Sequence, residues 1–241
     1  MVINSSLNRI VLFFCLVASL ISTNALTAVL SIDKQWPKGS TLNILFLDGK
    51  AEHHQLVRKI APKWITDTSL SFRFYSNDQS VPNQTHIRIS FTLQNGSQLG
   101  DHKDYLSKTA TMNLHGLTLK DQTSEAKIRL ILHEFGHALG LEHEYRSRYW
   151  PYENQPIKKL ISDCYPQMEL IGYNKQEAVT RCEQINSKLG RTQAKFTAFD
   201  ANSIMNYPMN FKLEDGTRVK ISASNKLSIL DKYAIQQWYA K

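Results

Sequence analysis

The sequence of 241 residues contains only three cysteines, and Cys15 lies in an apolar leader that we expect to be removed. So little cysteine excludes a scaffold held together by many disulfides. The remaining pair, Cys164 and Cys182, is typical of an oxidising compartment, where a bridge would close a loop of about 19 residues and contribute about 3 kcal/mol. We predict this Cys164–Cys182 disulfide, with two buried free thiols as the alternative.

Long apolar runs are absent after residue 25, so no later segment resembles a membrane span. The first 25 residues carry one charge, on Arg9, and a nearly unbroken apolar run from Ile10 to Ile21 that is short for a membrane anchor. Small residues and Ala25 follow. We therefore predict a signal peptide over 1–25 and a chain secreted into the extracellular space or the periplasm, without stable membrane association after its removal.

Basic runs are also missing, although 29 Lys and Arg residues against 21 Asp and Glu residues give a net charge of +8. The basic residues are scattered among acidic ones, and no run of five or more occurs. This pattern indicates a solvated surface and predicts no nucleic-acid partner.

The mature chain has no internal repeat, low-complexity tract or flexible linker, which favours one domain over 26–241. One strand, one helix and three further strands precede the central motif, and this order predicts an α+β fold with a mixed sheet and a helix packed on it. We expect an upper lobe at about 36–143, a lower lobe at about 144–241, and the site in the cleft between them.

Alternating apolar residues and helical stripes predict the individual elements. The predicted strands are 41–47, 70–75, 86–91 and 109–114, a loop is predicted over 95–108, and a hairpin over 213–221. Four helices are predicted. The first covers 52–65, the second begins near 121–125, the third runs from 174 to 189 and the fourth covers 227–239. A capping box at 174 and 177 marks the start of the third helix.

The most informative stretch is His133 to Glu144, with the sequence HEFGHALGLEHE. On a helix, His133 and His137 lie one turn apart on one face, and Glu134 lies beside them. Gly140 adopts a left-handed conformation without a side-chain penalty, so we expect it to end the helix and to turn His143 back toward the other two histidines.

Three neutral imidazoles with an open fourth position are typical of a catalytic zinc site. The motif H-E-x-x-H alone is a moderate signal, because it arises by chance on many helices. The extended pattern H-E-x-x-H-x-x-G-x-x-H is far more specific. We therefore predict one catalytic Zn²⁺ with the ligands His133, His137 and His143.

This pattern of residues resembles the zinc motif of the metzincin peptidases. The glutamate that follows it, Glu144, resembles the residue at the same place in the astacin group of that family. A second element agrees with this resemblance: Ser203-Ile204-Met205-Asn206-Tyr207 is similar to the astacin Met-turn, S-x-M-H-Y. The likeness implies a two-lobed, zincin-like fold and a zinc endopeptidase that acts on polypeptides.

The resemblance also implies roles for individual residues. Glu134 would act as the general base toward a zinc-activated water, and Tyr207 would stabilise the oxyanion, with a packed tyrosine as the alternative. Met205 would form an apolar floor beneath the metal. We expect Thr109 to Leu114 to be the edge strand along which a peptide adds main-chain hydrogen bonds.

Two departures from the astacin pattern concern single residues. Asn206 replaces the usual histidine of the Met-turn, which alters how Tyr207 is held. In animal astacins the residue that matches Glu144 pairs with an N-terminus freed from a long prosegment, and only about fifteen residues separate Ala25 from the first predicted strand here. We therefore expect Glu144 to interact with a neighbour such as Arg146 or with water.

Two other functions are compatible with the motif. One is a zinc-containing binding or adhesion module without turnover, although a purely structural site normally closes its fourth position with a protein ligand. The other is metal-assisted hydrolysis of a non-peptide bond. The leading prediction is a secreted, monomeric zinc endopeptidase.

Overall fold

A five-stranded mixed sheet organises the N-terminal part of the computed structural model, which describes residues 28–76, 80–152, 174–190, 192–196, 198–213 and 215–241. The predicted signal peptide and Cys164 lie outside these residues, so both stay predictions. The sheet strands are β2 (Thr41–Phe46), β3 (Ser71–Ser76), β4 (Ile87–Ser90), β5 (Gly96–Ser97) and β6 (Met112–Asn113).

The strand order is β3-β2-β4-β6-β5, with β5 antiparallel to β6 and the other pairs parallel. The prediction that 109–114 forms the edge was wrong, because Gly96 pairs with Asn113 and covers that side. Gly96 and Ser97 lie in a polar stretch without alternation, and only main-chain pairing makes them a strand. A side-chain pattern therefore could not reveal them.

Two helices pack with the sheet. They are α1 (Ala51–Ile60) and α2 (Ser124–Ala138). The predicted helix 52–65 ends as an α-helix at Ile60 and continues as a 3₁₀ turn over Ala61–Trp64, where Pro62 lacks the N–H that an α-helical turn requires. Apolar residues of α2 lie in the same core cluster as the sheet, and they include Ile131, Leu132 and Phe135.

The C-terminal part contains two further helices, α3 (Lys175–Asn186) and α4 (Ile229–Trp238). A hairpin joins strands β8 (Met209–Lys212) and β9 (Arg218–Ile221), and its turn includes Gly216 at φ +89°. The predicted capping box of α3 is present, since Asn174 and Glu177 bond each other's backbone N–H.

A two-stranded ribbon closes the domain near its N-terminus. Strand β1 (Val29–Ser31) pairs antiparallel with β7 (Ala194–Phe196), and Leu30 also bridges Leu141 just after α2. Helix α4 returns to the main core through Ala234, Ile235 and Trp238. Within the described residues, no helix combines the length and apolar character needed to cross a bilayer.

Candidate active site

Helix α2 carries the first two histidines and ends where the motif predicts. Thr123 caps its N-terminus by accepting a hydrogen bond from the backbone N–H of Ala126. At the C-terminal end Gly140 adopts φ +93°, and its N–H donates to the carbonyl of His137 at 2.8 Å. The chain reverses at this glycine and brings His143 back over the helix.

The three histidines converge on one point. The Nε2 atom of His143 lies 3.2 Å from Nε2 of His133 and 3.2 Å from Nε2 of His137. The candidate ligand atoms of the three residues all lie within 4.8 Å of one another. Tetrahedral zinc with Zn–N bonds of 2.0–2.1 Å separates its nitrogen ligands by about 3.3 Å, so this spacing fits the ion.

The far side of each imidazole is held by a neighbour. Nδ1 of His133 lies 2.9 Å from the carbonyl of Ile204, and Nδ1 of His137 lies 2.7 Å from the carbonyl of Leu141. A carbonyl only accepts, so Nδ1 carries the proton in both rings and each Nε2 lone pair faces the shared point. Lone pairs that face one another repel, and a bound cation removes that repulsion.

Burial keeps these ligands neutral. It lowers the pKa of His133 to about 3, with a smaller contribution from His137, and it lowers the pKa of His137 as well. The pKa of His143 lies well below its usual value for the same reason. Neutral imidazoles bind metal, whereas imidazolium cations do not.

Glu134 lies beside the histidines in a cavity of about 320 Å³ that His133, Tyr207 and Arg129 also line. Its side chain is buried, and Oε2 has no hydrogen-bond partner among the described residues. Burial raises the pKa of Glu134 to about 8, and the nearby positive charge of Arg129 opposes this rise. A larger cavity of about 480 Å³ borders Leu132 but does not reach the histidines.

The Met-turn, residues 203–207, passes beneath the histidines. The Ile204 carbonyl that orients His133 belongs to it, and the side chain of Met205 is buried under α2. Gly136 permits this approach, since a Cβ atom on Gly136 would lie 2.3 Å from the sulfur of Met205 and 3.1 Å from Trp64. Met205 therefore packs against the helix that carries the ligands, as the resemblance predicts for an apolar floor.

We expect Gly136→Ala to destabilise the protein by about 1–2 kcal/mol in denaturant unfolding. The steric clash with Met205 outweighs the gain of about 1 kcal/mol that alanine gives a helix over glycine. The control is Gly96→Ala, because a Cβ atom there meets nothing within 4 Å. Equal midpoints for Gly136→Ala and the wild type would contradict this close packing.

Tyr207 lies over the histidines. Its ring centroid is 4.4 Å from that of His143 and 5.6 Å from that of His133, and 38% of the residue is exposed. Partial desolvation, followed by the charge of Glu134, raises the pKa of Tyr207 to about 12, so the group stays protonated at neutral pH. A protonated phenol beside an open metal position can donate a hydrogen bond to a substrate oxygen.

Glu144 does not pair with Arg146, so that part of the expectation was wrong, and its interaction with water stays a prediction. Nη1 of Arg146 instead donates to Glu142 at 2.6 Å, and the hydroxyl of Ser31 donates to the other oxygen of Glu142 at 2.9 Å. The side chain of Glu144 is buried, and burial together with the charges of Asp231 and Asp200 raises its pKa. Residues 142–146 lie after the end of α2, and the path of the chain beyond Gly140 places the guanidinium of Arg146 beside Glu142.

Sequence reasoning missed three residues around the site. Arg129 lies one turn before His133 on the same face of α2, so its spacing could have revealed it. The hydroxyl of Tyr145 lies 3.2 Å from Nδ1 of His143, and only the turn after Gly140 places it there. Asp231 of α4 holds the Met-turn from a distant part of the sequence, and no local pattern indicates that contact.

Solved structures confirm the expected fold. One structure of myroilysin superposes with a TM-score of 0.67 at 24% identity, and the match covers 88% of this chain and 98% of that one. A second structure of myroilysin superposes with a TM-score of 0.58 at 23% identity, and the match covers 86% of each chain. High choriolytic enzyme 1, a hatching enzyme zinc-protease from the medaka fish Oryzias latipes, superposes with a TM-score of 0.50 at 14% identity, covering 87% of this chain and 96% of its own. No protein-family model and no curated protein matches the sequence. The chain thus has the α+β, zincin-like fold of astacin-type proteases.

Proposed function

We propose that this chain of astacin-type fold is a secreted zinc endopeptidase. The observation that carries the proposal is the convergence of three Nε2 atoms, two of which present lone pairs, beside Glu134 in an open cavity. His133, His137 and His143 hold the ion, and no fourth histidine, cysteine, aspartate or glutamate joins this group among the described residues. Zinc in such a site supplies Lewis-acid chemistry and makes water acidic near neutral pH.

The residues of the chain perform the remaining steps. Glu134 accepts the proton of the attacking water and transfers it to the nitrogen of the leaving amine as the peptide bond breaks. The Tyr207 hydroxyl donates a hydrogen bond to the negative charge that develops on the carbonyl oxygen. The Nδ1 contacts of His133 and His137 hold both rings in place, so they need not reorganise during the reaction.

The substrate is an extended polypeptide. Strand β5 at the sheet edge follows Asn95, which lines the cavity of Glu134, so a peptide in the cavity would lie close to that edge. Unpaired main-chain groups of an edge strand accept an added strand. Glycine and serine at β5 present small side chains there and leave room for a substrate backbone.

The test is an assay with the mature chain loaded with one equivalent of zinc. We expect it to cut unfolded casein at internal bonds, which mass spectrometry detects as new N-termini. A chelator should stop the cleavage, and added zinc should restore it. The chelator should also lower the unfolding temperature, since a ligand present at 1,000 times its Kd stabilises the folded state by about 4 kcal/mol.

A zinc-containing binding module without turnover would give a different result. Such a protein would hold one zinc ion and show the same thermal shift, but every polypeptide would stay intact. Cleavage of small esters or amides without any cleavage of polypeptides would instead indicate hydrolysis of a non-peptide bond. Either result would overturn the endopeptidase proposal.

A further inference from the structure

Arg129 connects three segments around the cavity. It lies on α2 one turn before His133, and its guanidinium donates from Nη2 to the carbonyl of Asn206 at 2.5 Å and from Nη1 to the carbonyl of Ser224 at 3.1 Å. It therefore ties the helix of the ligands to the Met-turn and to the loop after β9. Guanidinium donors are fixed in a planar fork, so two such bonds define the relative position of both acceptors.

The carbonyl that Arg129 holds belongs to the peptide group directly before Tyr207. The peptide group is planar, so the position of the Asn206 oxygen determines where the backbone nitrogen of Tyr207 lies. Asn206 is fixed in two other ways, because its side chain donates to the carbonyl of Asp200 at 2.6 Å and its backbone N–H donates to the carbonyl of Ser203 at 3.2 Å. On the other side of Tyr207, Pro208 limits the backbone of the residue before it.

The side chain of Tyr207 is held less tightly than its backbone. The structure gives its hydroxyl no hydrogen-bond partner among the described residues, and 38% of the residue is exposed. The ring makes tilted contacts with the imidazoles of His133 and His143 and stacks on the ring of Tyr145. The Cα atom of Tyr207 is thus fixed while its hydroxyl group can move. The position of the Cα atom determines which positions the hydroxyl can reach.

We propose that Arg129 is a positioning residue for Tyr207. By binding the Asn206 carbonyl, Arg129 fixes the backbone before Tyr207, so that the tyrosine hydroxyl reaches the reacting oxygen. The inference rests on the proposed peptidase function. Arg129 itself contacts neither His133 nor His143 by a hydrogen bond, and its two acceptors are backbone carbonyls of other segments. Its charge also acts on Glu134, whose raised pKa it opposes, so the part of its effect that passes through Tyr207 has to be measured apart from that charge.

A double-mutant cycle tests this coupling. Tyr207→Phe should lower kcat by about 100-fold or more, as the loss of one oxyanion donor does. Arg129→Ala should lower kcat by about 10- to 100-fold with KM changed less than about threefold, since a displaced catalytic group costs this much. In the Tyr207→Phe background, compared at a pH where kcat of neither variant depends on pH and the protonation of Glu134 is therefore the same, Arg129→Ala should change kcat by less than about threefold. An equal loss in both backgrounds would overturn the proposal.

Two further variants separate positioning from general damage. Arg129→Lys keeps one donor and the charge, so it should recover part of the lost kcat. The control is Arg73→Ala, an exposed arginine of β3 whose loss should leave kcat and KM unchanged. If Arg129→Lys, which keeps the charge but not the planar fork, restores kcat in full, the charge rather than the clamp of the carbonyl is what Arg129 contributes.

A measurement without turnover tests the same contact in metal-free protein. With 3-fluorotyrosine placed at position 207, Arg129→Ala should shift and broaden the fluorine resonance, and Arg73→Ala should leave it unchanged. An unchanged resonance in Arg129→Ala would overturn the proposal even for an active enzyme. An inactive wild type with a shifted resonance would instead remove the proposed peptidase function and leave the structural contact between Arg129 and Tyr207 intact.

Discussion

Glu134→Gln is expected to reduce kcat/KM for polypeptide cleavage by about 100- to 10,000-fold, the range that a general base contributes. Glutamine has the shape of glutamate but cannot take a proton from water. The structure places Glu134 in the cavity beside His133, and its Oε2 atom has no partner among the described residues that would engage it otherwise. Progress curves with an internally quenched peptide measure the loss.

The same substitution should leave the zinc site intact. The proposed ligands are the Nε2 atoms of three histidines whose Nδ1 atoms contact Ile204, Leu141 and Tyr145, and none of these contacts involves Glu134. The variant should therefore hold one equivalent of zinc. It should unfold at an equal or higher temperature, because burial disfavours the charged form of Glu134 and glutamine carries no charge.

A matched control removes a carboxylate from the same helix at a distance from the cavity. Glu125 lies in the first turn of α2 and is exposed, so Glu125→Gln should retain full activity. If Glu134→Gln keeps its activity within about threefold of the wild type, Glu134 cannot be the general base, whose removal costs at least 100-fold.

The placement of the histidines was predictable because it depends on local geometry. A spacing of four residues puts His133 and His137 on one face of any α-helix, and a glycine in a left-handed conformation reverses the chain within three residues. The helix, its end and the return of His143 follow from these two rules. Arg129 obeys the same spacing rule one turn earlier, so it too was within reach of the sequence.

Other parts of the site depend on contacts between distant segments. Strand β5 forms because two residues without an alternating pattern lie beside β6 and pair with it through the main chain. The choice between Glu142 and Glu144 as the partner of Arg146 depends on the path of the chain after Gly140. Neither arrangement has a periodic signal. Long-range pairing of this kind follows from packing, which a single sequence does not display.

Asp231→Ala is expected to destabilise the protein by about 3–5 kcal/mol, because it leaves two buried donors and one half-buried donor without their acceptor. The carboxylate of Asp231 accepts from the hydroxyl of Ser203 at 2.7 Å, from the N–H of Ile204 at 2.9 Å and from the N–H of Ser228 at 2.9 Å. Asp231, Ser203 and Ile204 are fully buried, so water cannot replace the bonds among these three residues. Unfolding in urea, followed by fluorescence, measures the change.

The loss should extend to the metal. Asp231 holds the N–H of Ile204, and the carbonyl of Ile204 in turn orients Nδ1 of His133. Removal of such a supporting contact lowers metal affinity by about 10- to 100-fold, which competition with a zinc-binding dye measures under conditions where the variant is still folded. Helix α4 thus supports the candidate zinc site although no residue of it reaches the cavity of Glu134.

Asp231→Asn separates the hydrogen bonds of Asp231 from its charge. The amide oxygen can still accept hydrogen bonds from the N–H groups of Ile204 and Ser228. The amide nitrogen can donate to the hydroxyl oxygen of Ser203, because a hydroxyl group accepts as readily as it donates. We therefore expect a loss within about 1 kcal/mol and nearly unchanged zinc affinity. If the asparagine variant were as unstable as the alanine variant, the negative charge rather than the hydrogen bonds would hold the Met-turn in place beneath the histidines.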